Sequence, residues 1–141
     1  MILVDTSGLV AAMFEDQKDH EACARILRED DGPLILSPFV FAEADYLVNK
    51  YGGIEAEMAF LEEIERGAYV IAEFRQHWIG DTRRMVHRYR DLNIGLTDAA
   101  MIMIAEHYNC RDVLTLDLRH YRAMRPPSKK SFRILPADLD L

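Results

Sequence analysis

The chain has 141 residues, of which 50% are hydrophobic and 29% are charged, and its formal net charge is −7. This length and composition are typical of one globular domain that can fold without a disulfide framework or a structural metal. They exclude a disordered or fibrous chain, and no apolar run approaches the roughly 18 residues that a transmembrane helix needs.

The cysteines and the amino-terminal stretch predict where the protein works. Cys23 and Cys110 lack the spacing of metal ligands or of a disulfide framework. The first apolar stretch ends at Asp5, too early for a secretory signal. We therefore expect a cytoplasmic protein in a reducing environment that does not associate with membranes.

The charge is unevenly divided along the chain. Residues 1–66 contain 15 acidic and 5 basic side chains, whereas residues 67–141 contain 9 acidic and 12 basic ones. Such an asymmetry suggests an anionic partner or a cation site, and it fits uneven surface charge equally well.

The first elements follow the pattern of a layered α/β protein. Residues 1–4 form a short apolar run bounded by polar residues, which predicts a buried strand. Short helices are predicted at 9–14 and 21–28, and a second buried strand at 34–36.

Two helices are predicted next, separated by a pair of glycines. Ser37-Pro38 is a typical helix start, and Gly52-Gly53 ends this helix. The following helix covers 54–66 and ends at Gly67. The predicted inward residues are Val40, Ala44, Leu47 and Tyr51 in the first helix, and Ile54, Met58, Leu61 and Ile64 in the second.

The second half of the chain continues the alternation. A strand is predicted at 69–71, a helix at 76–90, a helix capped by Thr97 and reaching 107, and strands at 113–116 and 132–135. The 97–107 helix is apolar on all sides, which predicts extensive burial. In the 76–90 helix the predicted inward residues are Ile79, Thr82, Val86 and Tyr89.

These elements together predict a single α/β domain over residues 1–141. Short, continuously apolar strands that alternate with helices indicate a parallel sheet of about five strands, with helices on both faces. In such folds the ligand binds beyond the carboxyl ends of the strands. Acidic residues at those ends are therefore the candidate functional residues.

Four acidic residues are predicted to meet at this edge of the sheet. Asp5 and Asp117 directly follow predicted strands. Glu43 borders the apolar stripe of its helix, and Asp98 lies in the first turn of the buried helix. Each has a structural alternative: a helix cap for Asp5, the helix dipole for Asp98, a turn for Asp117 and a buried arginine partner for Glu43.

The convergence of these acids favours a metal site over four separate structural roles. Four unpaired carboxylates would repel one another and raise one another's pKa. A divalent cation removes that repulsion, and carboxylate oxygens and water suit Mg²⁺ or Mn²⁺.

These residues also occur in four short motifs with a recognisable order and spacing. The motifs are Val4-Asp5-Thr6-Ser7, Ala42-Glu43, Gly95-Leu96-Thr97-Asp98-Ala99-Ala100 and Leu114-Thr115-Leu116-Asp117. Over essentially the whole chain they resemble the motifs of PIN-domain ribonucleases, and in particular of VapC-type toxins from toxin–antitoxin pairs. The resemblance implies a PIN-like, Rossmann-like domain.

By position in these motifs, the resemblance assigns roles to individual residues. Asp5 and Asp98 would bind the metal directly, and Glu43 and Asp117 would complete the acidic pocket through water or a second metal. Three further residues would support the site, although a helix cap and β propensity explain them as well: Thr6, Ser7 and Thr115.

The activity that the resemblance implies is that of an endoribonuclease dependent on Mg²⁺ or Mn²⁺. Water activated by the metal would hydrolyse the phosphodiester bond. The partners would be RNA, a VapB-type antitoxin that blocks the site, and a second copy of the chain in a homodimer. The sequence leaves the type of RNA open.

Basic residues in the second half of the chain are candidates for RNA binding. Arg83, Arg84 and Arg88 lie opposite the apolar stripe of the 76–90 helix, and Arg119 follows Asp117. A solvated face is the alternative explanation. The histidines are scattered, without a pair suited to metal-free RNA cleavage, and we expect surface or core-edge positions for His20, His77, His87, His107 and His120.

Three other functional classes fit these residues less well. A phospho-accepting receiver domain needs paired acids after the first strand, whereas Thr6 and Ser7 follow Asp5 here. A phosphatase of the haloacid-dehalogenase type needs an aspartate where Ser7 stands. The remaining alternative is a catalytically silent PIN-like module that binds RNA or protein.

Overall fold

The computed structural model describes residues 1–128 and 130–140. Its strands are β1 (Ile2–Val4), β2 (Leu34–Leu36), β3 (Val70–Ile71), β4 (Asp112–Leu114) and β5 (Arg133–Leu135). They form one five-stranded sheet in the order β3-β2-β1-β4-β5, with every neighbouring pair parallel. The predicted α/β fold with a parallel five-stranded sheet is confirmed.

The helices connect these strands and cover the sheet. They are α1 (Thr6–Met13), α2 (His20–Glu29), α3 (Pro38–Glu65), α4 (Ile79–Arg88), α5 (Leu96–Tyr108) and α6 (Leu118–Ala123). Helix α1 packs against α2 and α3, and α5 packs against α3 and α4. In the described part of the chain, no helix combines the length and apolar character needed to cross a membrane.

The core is built on β1 and α5, as the apolar runs predict. All three residues of β1 are buried between β2 and β4. In α5, Met101, Ile102 and Ile104 are fully buried. Because β1 is the central strand, the residue that follows it lies in the middle of the carboxyl edge of the sheet.

The two helices predicted on either side of Gly52-Gly53 form one element, α3. Ser37 caps it by accepting a hydrogen bond from the backbone N–H of Phe39 at 3.2 Å. Gly53 interrupts the helical backbone with φ 74° and ψ −173°, so two helical arms meet at this residue. The predicted break is therefore correct in position, although the second arm starts without a loop.

The two sets of residues predicted to face inward on α3, one on each arm, are only partly correct. Val40 and Ala44 are buried, and so are Val48 and Phe60, which these sets did not include. Four predicted inward residues are exposed instead: Tyr51 at 59%, Ile54 at 58%, Met58 at 57% and Leu61 at 38%. Tyr51 lies on the first arm and the other three lie on the second, so both predicted stripes fail next to Gly53, whereas Ile64 packs against the core as predicted.

Three further boundaries differ from the prediction. Gly95, not Thr97, is the N-cap of α5, and Thr97 lies within its first turn. Single-turn 3₁₀ helices flank α4 at Gln76–Trp78 and Arg90–Leu92, and Ile79 is exposed. Strand β4 ends at Leu114, and the short helix α6 that starts after Asp117 was not predicted.

Candidate active site

The carboxyl edge of the sheet opens into a cavity of about 440 Å³. Asp5 follows β1, Asp117 precedes α6, Glu43 lies on the first arm of α3, and Asp98 lies in the first turn of α5. All four side chains line this cavity, together with Thr6, Ser7 and His120. The structure therefore brings the four predicted acidic residues into one pocket.

Asp5 is held in place by the residues that follow β4. Its carboxylate is only 6% exposed, and Thr115 Oγ1 donates a hydrogen bond of 2.7 Å to Oδ2. The backbone N–H of Asp5 donates to the carbonyl oxygen of Leu114 at 3.0 Å. Side chain and main chain are thus fixed by the same neighbouring strand.

Thr115 and Ser7 extend this network toward Asp117. Thr115 Oγ1 accepts from the backbone N–H of Asp117 at 3.1 Å, and Ser7 Oγ accepts from the backbone N–H of Leu116 at 2.9 Å. The two hydroxyl oxygens lie 3.1 Å apart. Because the Thr115 hydrogen points to Asp5, Ser7 is the donor in this last bond. Two of the three predicted supporting residues, Ser7 and Thr115, therefore hold the backbone at Leu116 and Asp117.

A glycine allows α1 to come this close to β4. A Cβ atom added at Gly8 would lie 2.6 Å from the carbonyl oxygen of Leu114, far inside van der Waals contact. The close approach of the two chain segments, which the Ser7–Thr115 contact requires, therefore depends on the absence of a side chain at position 8.

The environment of Asp5 disfavours its charged form. Burial raises its pKa from 3.8 to about 6, and the charges of Asp98 and Glu43 contribute in the same direction, against the hydrogen bond from Thr115. The pKa of the buried Tyr121 hydroxyl is also raised, mainly by burial and then by Asp5, Asp98 and Asp117. The pocket therefore has a negative potential that a cation would relieve.

His120, on α6, connects two of the acidic residues. Its Nδ1 atom lies 2.8 Å from Asp98 Oδ2 and 3.0 Å from Asp117 Oδ2. Asp117 Oδ1 also accepts from the backbone N–H of His120 at 3.1 Å and so caps α6. Burial raises the pKa of Asp98. The charges of Asp117 and Glu43 raise it further, and His120 opposes this rise.

His120 lies at the edge of the core, as expected, with a side chain that is 20% exposed, but the sequence reasoning missed that it lines the pocket. The signal available in the sequence was its spacing of three residues from Asp117, which puts both side chains on one side of a first helical turn. That signal depends on recognising α6, which is only six residues long.

The other predicted residues are distributed differently around the pocket. Glu43 is exposed at its rim, and Thr6 lines it with a buried hydroxyl that has no hydrogen-bond partner among the described residues. Arg83 and Arg84 line a separate surface cavity, and Arg84 pairs with Asp81. Arg88 lies against the ring of Tyr89, and Arg119 is exposed on α6.

The side chains of the pocket fit a divalent cation. Asp98, Asp117 and His120 each offer one ligand atom, and these atoms all lie within 4.8 Å of one another. Carboxylate oxygens combined with one imidazole nitrogen are a common ligand set for divalent metals. Burial raises the pKa of Asp5 and of Asp98, and the neighbouring acids add to both rises, so a cation bound here would favour the charged carboxylates.

Comparison with known proteins agrees with this architecture. The family model of the PIN domain matches residues 2–125. Over 135 residues, which are 96% of this chain and 100% of the relative, the chain is 38% identical to Ribonuclease VapC26 of Mycobacterium tuberculosis (strain ATCC 25618 / H37Rv).

Solved structures share the fold at lower sequence identity. The crystal structure of VapC20 from Mycobacterium tuberculosis, a toxin that cleaves the sarcin–ricin loop, superposes with a TM-score of 0.75 at 19% identity and covers 85% of this chain and 92% of its own. VapBC2 from Rickettsia felis, bound to a DNA fragment from its promoter, gives a TM-score of 0.63 at 20% identity and covers 88% and 93%. From the family match and the relative at 38% identity, we conclude that this chain belongs to the PIN-domain family and, within it, to the VapC-type proteins.

Proposed function

We propose that this protein is a metal-dependent endoribonuclease and the toxin of a toxin–antitoxin pair. The observation that carries the proposal is the convergence of Asp5, Glu43, Asp98 and Asp117 on one pocket of a VapC-type PIN domain. The relative at 38% identity bears the name of a ribonuclease, which supports RNA as the substrate class.

The residues of the pocket have distinct roles in this proposal. Asp5, fixed by Thr115, and Asp98 bind Mg²⁺ or Mn²⁺ directly, while Asp117 and Glu43 complete the acidic pocket. When bound, the cation polarises the scissile phosphate and lowers the pKa of water. The protein's contribution is to hold the carboxylates in place and to bring the anionic RNA backbone to an otherwise repulsive pocket.

Basic side chains outside the pocket would hold the RNA. Arg83 and Arg88 on α4 and Arg119 on α6 are exposed and therefore available to phosphate groups. Arg84 already pairs with Asp81, which reduces its availability. We assign these arginines to backbone binding, which positions RNA without reading its sequence.

Two protein partners belong to the proposal. A VapB-type antitoxin would block the pocket, and the negative potential of the pocket suits an antitoxin arginine that displaces the metal. A second copy of the chain would form a homodimer. The exposed apolar side chains of Tyr51, Ile54 and Met58 on α3 support a partner of one of these kinds, because isolated domains seldom expose so many neighbouring apolar groups.

The test is cleavage of total cellular RNA by the purified protein with Mg²⁺ or Mn²⁺, followed by mapping of the new 5′ ends. We expect discrete cuts that disappear with EDTA and in the Asp5→Asn variant, and the mapped ends identify the RNA. Cuts that persist in both controls would exclude this pocket as the nuclease site. Absence of both cuts and metal binding would favour the alternative of a catalytically silent binding module.

A further inference from the structure

The ring of His120 is held between a backbone carbonyl on one side and two carboxylates on the other. Its Nε2 atom lies 3.1 Å from the carbonyl oxygen of Leu92, in the turn before α5. On the opposite side, Nδ1 lies 2.8 Å from Asp98 Oδ2 and 3.0 Å from Asp117 Oδ2. Both ring nitrogens therefore have a defined partner.

These partners determine which nitrogen carries the hydrogen of the neutral ring. A carbonyl oxygen only accepts hydrogen bonds, so Nε2 donates to Leu92 and the lone pair is on Nδ1. That lone pair faces two carboxylate oxygens, which also offer only lone pairs. Three electron-pair donors then point at one place, which a hydrogen on Nδ1 can bridge and which a divalent cation can occupy instead.

The surroundings of this histidine have the features of a metal ligand. Metal-binding histidines usually donate their second ring nitrogen to a backbone carbonyl or a carboxylate, as Nε2 does to Leu92 here. Neighbouring ligands on an octahedral ion with bonds of about 2.1 Å lie about 3.0 Å apart, which is close to the spacing of Nδ1 from both oxygens.

A second observation in the same pocket points to a ligand. Thr6 lines the cavity with Asp98, Asp117 and His120, and it is only 6% exposed. Its hydroxyl has no hydrogen-bond partner among the described residues, although buried hydroxyl groups normally have one. This hydroxyl is a buried polar group beside the three ligand atoms that lacks a protein partner.

We propose that His120 is a further direct ligand of the divalent cation beside Asp98, that Asp117 completes the pocket by also binding the cation directly, and that the nitrogen ligand makes the pocket prefer Mn²⁺ to Mg²⁺. The inference rests on the proposed function, because it takes for granted that the pocket binds a cation. Its chemical basis is that imidazole suits transition metals, whereas Mg²⁺ prefers oxygen ligands.

The experiment compares the wild-type protein with two histidine variants, His120→Asn and His87→Asn. Asparagine at position 120 keeps an N–H donor near the place of Nδ1 but offers no nitrogen lone pair. His87 is exposed on α4, outside the pocket, and serves as the matched control. Calorimetry gives the affinities for Mn²⁺ and Mg²⁺, and pulsed electron paramagnetic resonance of bound Mn²⁺ reports a directly bonded nitrogen.

We expect nitrogen coupling to Mn²⁺ in the wild-type and His87→Asn proteins, and its loss in His120→Asn. The Mn²⁺ affinity of His120→Asn should fall by about 10–100-fold, and the Mg²⁺ affinity by less than about 3-fold. The wild-type spectrum alone is decisive if His120→Asn does not fold.

Two results would overturn the inference, and they are distinguishable. Mn²⁺ bound to the wild-type protein without nitrogen coupling would exclude His120 as a ligand and leave the proposed acidic metal site intact. Failure of the wild-type protein to bind either cation would overturn the metal dependence in the proposed function, and the role of His120 with it.

Discussion

The buried carboxyl group of Asp5 makes folding of the metal-free protein dependent on pH. Its pKa is raised from 3.8 to about 6, mainly by burial. Because the folded state holds this proton more tightly than the unfolded chain, stability decreases as the pH rises from about 4 to about 6 and stays lower above that range. A shift of this size corresponds to at most about 3 kcal/mol.

Asp5→Asn should remove this dependence. Asparagine carries no charge, and its side-chain oxygen still accepts the hydrogen bond from Thr115. In EDTA at pH 7.5 we expect the free energy of unfolding to increase by about 1–3 kcal/mol in urea titrations. In a separate assay with Mg²⁺ or Mn²⁺, nuclease activity should fall by more than about 100-fold. Asp31→Asn, in an exposed turn, is the control. A variant less stable than wild type at this pH would contradict the explanation.

Thr115→Val should show how much the positioning of Asp5 contributes to stability and activity, because this substitution leaves the charge of the pocket unchanged. Valine has nearly the shape of threonine but cannot donate to Asp5 or accept from the backbone of Asp117. We expect a loss of stability of about 1–3 kcal/mol and a decrease of activity of about 10–100-fold, with Thr115→Ser close to wild type. Equal activity of the valine and serine variants would show that the hydroxyl does not orient the pocket.

At the scale of elements, the two arms of α3 depend on the backbone of Gly53. Its φ of 74° with ψ of −173° lies in a region that only glycine adopts readily. Gly53→Ala should therefore destabilise the protein by about 1–3 kcal/mol in urea titrations, although no atom would crowd the added Cβ. Gly80→Ala, within α4, should instead stabilise it by up to about 1 kcal/mol. Equal effects of the two substitutions would refute this explanation.

The same elements show where sequence patterns stop being informative. The strands and the four acidic positions could be predicted, because a short apolar run followed by an acid needs only local information and the rule that parallel strands end at one edge. The exposure of Tyr51, Ile54 and Met58 could not, because helical spacing shows which apolar residues share a face but not whether another element covers that face. His120 could not be placed, because its partners Asp98 and Leu92 come from another part of the chain.

Over the whole molecule, the uneven charge predicts how RNA binding should respond to salt. Arg83 and Arg88 are exposed in the basic half of the sequence, opposite in composition to the acidic first half. With cleavage blocked by Asp5→Asn, replacing both arginines by alanine should weaken RNA binding. The slope of log affinity against log salt should decrease by about 0.7 for each lost phosphate contact.

Arg66 provides the control for this measurement. It is exposed at the end of α3, where it pairs with Glu62 in an acidic region. Arg66→Ala should leave both the RNA affinity and its salt dependence unchanged in filter-binding titrations. If Arg66→Ala weakens RNA binding as much as the replacement of Arg83 and Arg88 does, binding depends on total charge and not on the position of these arginines.

The hydrogen bond between Asp5 and Thr115 joins residues that are 110 positions apart in the sequence. The ribosome makes Asp5 and Glu43 well before Asp98 and Asp117, so a nascent chain that has not reached Asp98 lacks two of the four acids of the pocket. An enzyme that attacks RNA is then harmless while it is being translated. Under the proposed function, RNA cleavage starts only after all four acids have left the ribosome and the pocket has folded, which leaves an antitoxin time to meet the chain.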